Sequence, residues 1–166
     1  MKNFAFVLCI FLIVSCNGIN KNSDDLADFS KIKYSNYKEI DFLKDYVKMS
    51  DTAYVKSGNQ VTHRITELKK DDKTVILFSK ITVDTQDSES YTLLDTLHIK
   101  KLNENLMITI GYCNVENYLV EEVIAVVEKT DSDSIKKIEK VWKANSQTNT
   151  IEPVKKTSDI SCINEK

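Results

Sequence analysis

The chain has 166 residues, with 23 Lys and Arg against 25 Asp and Glu for a formal net charge of −2. That length supports one domain with a sizeable core and leaves too little for two. Balanced charge argues against a nucleic-acid role, which would show as a basic stripe, and the single arginine, Arg64, removes the usual bidentate reader of phosphates and base edges.

Lys2 precedes an unbroken apolar run from Phe4 to Val14, followed by Ser15 and Cys16. A charged start, a short apolar stretch and a small residue at its end describe a secretory signal peptide, and the run is far short of the roughly 20 residues a membrane-spanning helix needs. Ile13-Val14-Ser15-Cys16 resembles the bacterial lipobox, in which the Cys is diacylated on sulfur and becomes the new N-terminus. The resemblance implies that residues 1–15 are removed and that Cys16 carries the lipid anchor, where two acyl chains already hold stably. An ordinary signal peptide cut nearby is the plain alternative. Asn17, where an Asp would retain a lipoprotein in the inner membrane, points by the same resemblance to the outer membrane.

Residues 16–35, rich in Asn, Ser, Asp and Lys and without sustained period, read as the lipidated Cys and a flexible tether, leaving residues 36–166 as a single globular domain. Asp24, Asp25 and Asp28 resemble the acidic spacer that directs some lipoproteins to the outer face, though further from the Cys than usual. The choice between periplasmic and surface faces stays open.

Within the domain, Phe42, Leu43, Tyr46 and Val47 place one apolar stripe on a short helix over Asp41 to Ser50. From Thr52 onwards β-branched and aromatic runs alternate with polar clusters. Thr52 to Lys56 and Gln60 to Lys69 flank Ser57-Gly58-Asn59 as a hairpin. Lys73 to Val83 alternates Val75, Leu77, Ser79, Ile81 and Val83 on one face; Tyr91 to Ile99 and Leu106 to Val115 follow as strands. Val123-Ile124-Ala125-Val126-Val127 is apolar on both faces and should be the most buried, central strand. Ile135 to Val141 reads as a helical turn, and Val141 to Asn145 with Thr150 to Val154 as a last hairpin, in which Pro153 marks an edge. About seven strands with polar turns predict a mainly β fold, a single antiparallel domain of meander or sandwich type with one or two short helices; α+β is the alternative.

Once Cys9 leaves and Cys16 is acylated, Cys113 and Cys162 remain in a compartment where disulfides persist. They allow one intramolecular pairing, closing a loop of about 50 residues worth roughly 4 kcal/mol in the chain-entropy model. Two free thiols are the other possibility. Val141-Trp142-Lys143-Ala144-Asn145, Thr150-Ile151-Glu152-Pro153-Val154 and Ile160-Ser161-Cys162-Ile163-Asn164-Glu165 resemble the C-terminal signature of small bacterial lipoproteins of unknown function. The resemblance covers about the final 60 residues, brings no activity, and supports pairing Cys113 with Cys162.

Catalytic chemistry leaves little trace. The glycines are Gly18, Gly58 and Gly111, so no phosphate-cradling loop or dinucleotide fingerprint exists, and no nucleotide or other cofactor is expected. There is no Gly-x-Ser-x-Gly elbow and no His-Glu-x-x-His. His63 reads as a satisfied semi-buried imidazole and His98 as solvent-facing. Asp131-Ser132-Asp133 starts like a calcium loop, but Lys136 stands where its glycine belongs and Trp142 where its bidentate Glu belongs, so no metal is expected. Asp51-Thr52-Ala53, Asp95-Thr96-Leu97 and Asp133-Ser134-Ile135 resemble a bacterial O-glycosylation acceptor, with Thr52 and Ser134 the accessible candidates.

The sequence therefore points to a lipid-anchored bacterial cell-envelope protein, non-enzymatic, binding a protein or glycan partner and no nucleic acid or nucleotide. The alternatives are an accessory structural subunit of an outer-membrane complex and a carboxylate-based hydrolase, since carboxylate pairs leave no linear motif.

Overall fold

A computed structural model describes residues 31–54 and 61–164. The described residues form strands β1 (Lys33–Tyr34), β2 (Val47–Tyr54), β3 (His63–Lys70), β4 (Lys73–Val83), β5 (Glu89–Ile99), β6 (Leu106–Ile110), β7 (Cys113–Val115), β8 (Tyr118–Val120), β9 (Val123–Glu128), β10 (Ser134–Ile135), β11 (Ile138–Asn145), β12 (Thr150–Pro153) and β13 (Ile160–Ile163). They pair antiparallel into three sheets, ordered β1-β5-β4-β3-β2, β12-β11-β9-β6 and β10-β13-β7-β8. The mainly β, single antiparallel domain expected from the sequence is what the chain adopts.

Side-chain alternation explains how the sheets stack. On β9, Ile124 and Val126 pack against Ile65, Ile76 and Phe78 of the first sheet, while Val123, Ala125 and Val127 pack against Cys113, Ile135, Ile160 and Cys162 of the third. A strand covered on both faces must be apolar throughout, and β9 lies inside its sheet between β11 and β6, as its sequence predicts. β4 is covered the same way from Thr74 to Ser79, because the segment before β2 packs Tyr34, Ile40 and Leu43 over Val75, Leu77 and Leu93. The ordered core thus reaches back to Tyr34, inside the stretch read from sequence as tether.

No α-helix occurs among the described residues. Where a helix over Asp41 to Ser50 was expected, two 3-10 turns stand, Tyr37–Glu39 and Asp41–Leu43. The first is held by a capping box: Asn36 Oδ1 accepts from the Lys38 N–H at 3.0 Å, and the Glu39 carboxylate accepts from the Asn36 N–H at 3.2 Å. Leu43 is fully buried, but from Val47 onward the open edge of β3 offers ladder partners to the backbone groups that face it, and the chain becomes strand instead. Ile135 to Val141 is likewise not a helical turn. Ile135 pairs with Cys162 in the third sheet and Ile138 with Val127 in the second, so Lys136-Lys137 crosses between layers. The Ser57-Gly58-Asn59 turn lies outside the described residues.

The run read as one strand, Leu106 to Val115, divides at Gly111. Its φ of +79° is left-handed, and it carries the chain from β6 in the second sheet to β7 in the third. A Cβ there would lie 2.9 Å from the Thr52 methyl and 3.4 Å from the Glu121 carbonyl oxygen, so glycine answers to both backbone angle and space. Pro153 ends β12, the outer strand of the second sheet, where a missing N–H breaks no ladder.

Candidate binding site

A network of interacting polar side chains that spans four strands surrounds the lone arginine. Arg64 sits on β3 with its side chain on the face covered by the N-terminal segment. Its register partner on β4 is Ser79, whose short side chain leaves the guanidinium a path to the next strand. There Arg64 Nη1 donates to the Tyr91 hydroxyl at 2.8 Å and Nη2 to Glu89 Oε2 at 3.2 Å, and the guanidinium carbon lies 5.0 Å from the Tyr91 ring centroid. On the other flank, Asp51 of β2 stands 3.6 Å from Nη1 and accepts from Lys48 Nζ at 3.1 Å.

Tyr91 donates to Glu89 at 2.5 Å, and its ring lies 5.3 Å from that of Tyr34, whose hydroxyl meets Ser79 Oγ at 2.7 Å. Partial burial foremost, then donation to Glu89, pushes the Tyr91 phenol up to about 12. Burial also raises Tyr34. Both phenols are therefore neutral hydrogen-bonding groups at physiological pH. Arg64 Nε is sealed from solvent and has no acceptor among the described residues. An unsatisfied buried donor costs about 1–3 kcal/mol, and such departures from full pairing concentrate where structure serves function.

Arg64, Tyr91, Tyr34, Asp51 and Lys48 line a cavity of about 150 Å³. Buried Tyr34 and Leu77 form its floor, Arg64, Asp51 and Tyr91 its walls, and exposed Lys48 and Asn36 its rim. Little in the sequence announces it. Residues 36, 51, 64 and 91 fall on a capped turn and three strands, and only the rarity of arginine gave a signal.

The residues singled out from sequence fall elsewhere, Arg64 and Asp51 excepted. Cys16 lies outside the described residues. Cys113 and Cys162 are joined by a disulfide across β7 and β13, with Cα atoms 3.9 Å apart. The neighbouring Ile163 N–H donates to the Tyr112 carbonyl at 2.8 Å, which makes the cysteines a non-hydrogen-bonded pair, where facing strands come closest. Thr52 is half-buried and its hydroxyl donates to the Ile110 carbonyl at 3.3 Å. Ser134 is exposed beside Lys129, Lys136 and Lys137 at an open basin of about 360 Å³. His63 is buried and stacks against both Tyr54 and Phe78 at 5.5 Å from each, with Nδ1 2.8 Å from the Thr62 hydroxyl; His98 is exposed. Among the described residues no group of three His, Cys, Asp or Glu is arranged to hold a metal ion, and no helix is long and apolar enough to cross a membrane.

Compared with protein-family models, curated proteins and solved structures, the chain finds no match.

Proposed function

We propose that the chain is a lipid-anchored protein of the bacterial cell envelope, held by Cys16, whose β domain is a non-enzymatic binding module. The observation that carries the binding role is the cavity at Arg64. It is concave, has an apolar floor, and gathers a few converging polar groups, the combination that marks ligand sites. The signal segment and lipobox support the location.

The test immobilises the mature protein and passes envelope extract over it, in parallel with an Arg64→Ala, Asp51→Asn double variant whose melting curve has been measured. Material retained by the parent and lost from a folded variant supports the reading; equal retention, or none, overturns it.

A second reading, an accessory subunit of an outer-membrane complex, is favoured by the exposed Tyr118 and Leu119 on β8, an outer strand of the third sheet. It calls for a stoichiometric partner that survives detergent and is released by Tyr118→Ser, Leu119→Ser instead.

A further inference from the structure

We infer that the Arg64 cavity takes a single neutral, hydroxyl-rich ring, a pyranose unit of an envelope glycan. The inference rests on the cavity being the binding site and goes on to name the chemistry that fits it. Charge decides the class. The two cations, Arg64 and Lys48, already face two carboxylates: Glu89 at 3.2 Å from Arg64, Asp51 at 3.6 Å from Arg64 and 3.1 Å from Lys48. An incoming anion would meet Asp51, and an incoming cation would meet Arg64 and Lys48, so each would displace a pair already made.

A hydroxyl escapes that conflict because it donates and accepts at once. With Asp51 Oδ2 and Arg64 Nη1 only 3.6 Å apart, neighbouring hydroxyls on one ring can give a proton to the first and take one from the second without separating them. Lys48 on the rim and the neutral Tyr91 phenol extend the same alternation of donor and acceptor. The half-buried rings of Tyr37 and Tyr91, above the buried Tyr34 and Leu77, offer apolar surface to the C–H face of a pyranose. Size agrees: about 150 Å³ lies well under the roughly 300 Å³ at which drug-sized sites begin, which is room for one ring.

The experiment titrates the mature protein with the methyl glycosides of glucose, galactose, mannose and N-acetylglucosamine, and separately with inorganic phosphate and tetramethylammonium, following binding by ligand-observed NMR. The expected result is millimolar binding of at least one glycoside, neither ion binding as tightly, and at least tenfold weakening in Asp51→Asn. Asp51 is on an outer strand, so that variant should keep the parent melting temperature; Lys48→Gln, on the rim, should weaken binding by a smaller factor. Tighter binding of phosphate or tetramethylammonium overturns the neutral-ring assignment while leaving the cavity a binding site. If no glycoside binds but envelope material is still lost from the Arg64→Ala, Asp51→Asn variant, this inference falls alone. If neither is seen, both readings fall.

Discussion

Asp95 on β5 accepts a 2.6 Å hydrogen bond at Oδ2 from the backbone N–H of Ile151 on β12, joining the first sheet to the outer strand of the second. The other carboxylate oxygen accepts from the Thr96 N–H at 2.8 Å, which fixes the side chain. Ile151 packs into the core between those sheets, so its N–H would otherwise be a half-buried donor on an open edge. Asp95→Ala should cost about 1–3 kcal/mol and speed amide exchange at Ile151, with Asp95→Asn recovering part of both. Unchanged exchange at Ile151 would remove Asp95 as the clasp.

Gly111→Ala places a side chain in a left-handed backbone against the Thr52 methyl. We expect a loss of about 1–3 kcal/mol, of which Thr52→Ser should restore the steric part and leave the backbone part. Equal stability of Gly111→Ala and its parent would mean that the step between sheets is more pliant than its φ implies.

Removing the Cys113–Cys162 bond should cost on the order of 2–5 kcal/mol, a fall in melting temperature of about 10 °C for a domain this size. Cys113→Ala, Cys162→Ala and the double variant should melt together, since one bond is lost in all three. Additive losses would show that each sulfur contributes separately to the core.

Alkaline pH is the expected weakness of the Arg64 cluster. Tyr91 ionises near 10 in the unfolded chain and near 12 in the fold, so the fold holds a proton that the unfolded chain releases between those values. A raised pKa contributes stability that is complete below pH 10 and lost as pH climbs through about 12. Denaturant midpoints measured from pH 8 upward should fall across that window, and Tyr91→Phe should flatten the fall. A slope unaffected by the substitution would assign it to Tyr34 and Tyr54, which burial also raises.

Cys16→Ala should abolish incorporation of labelled fatty acid and release the protein from detergent-phase partitioning. Continued labelling at the parent level would overturn the lipid anchor.

What the sequence disclosed depended on the range of the interaction. β9 was legible because burial on both faces leaves an apolar run with no polar interruption, and Lys73 to Val83 because its β-branched and apolar residues between polar clusters fit a strand, although Thr74 to Ser79 is buried on both faces where alternation was expected. β1, β8, β10 and β13 have two to four residues each, too few for a period, and exist only because neighbouring strands supply their hydrogen bonds. The helix expected at Asp41 failed for a related reason: a stripe of four apolar residues fits a helix locally, but only Leu43 of them is fully buried, and the unpaired edge of β3 claimed Val47. The Arg64 cavity was less legible still. Asp51, Arg64 and Tyr91 meet through register across four strands, and no spacing along the chain encodes that meeting.

The place of β13 between β10 and β7 sets the order in which the molecule can be completed. A chain delivered from its N-terminus can assemble the first sheet early, because β2, β3 and β4 each pair with their immediate successor. The third sheet has to wait. β7 and β10 are separated until Ile160–Ile163 arrives to pair with both, and the inner face of β9 stays uncovered in the meantime. Synthesis interrupted shortly before residue 160 would therefore leave a two-layered particle with an apolar face bare, the kind of species that chaperones retain and proteases clear.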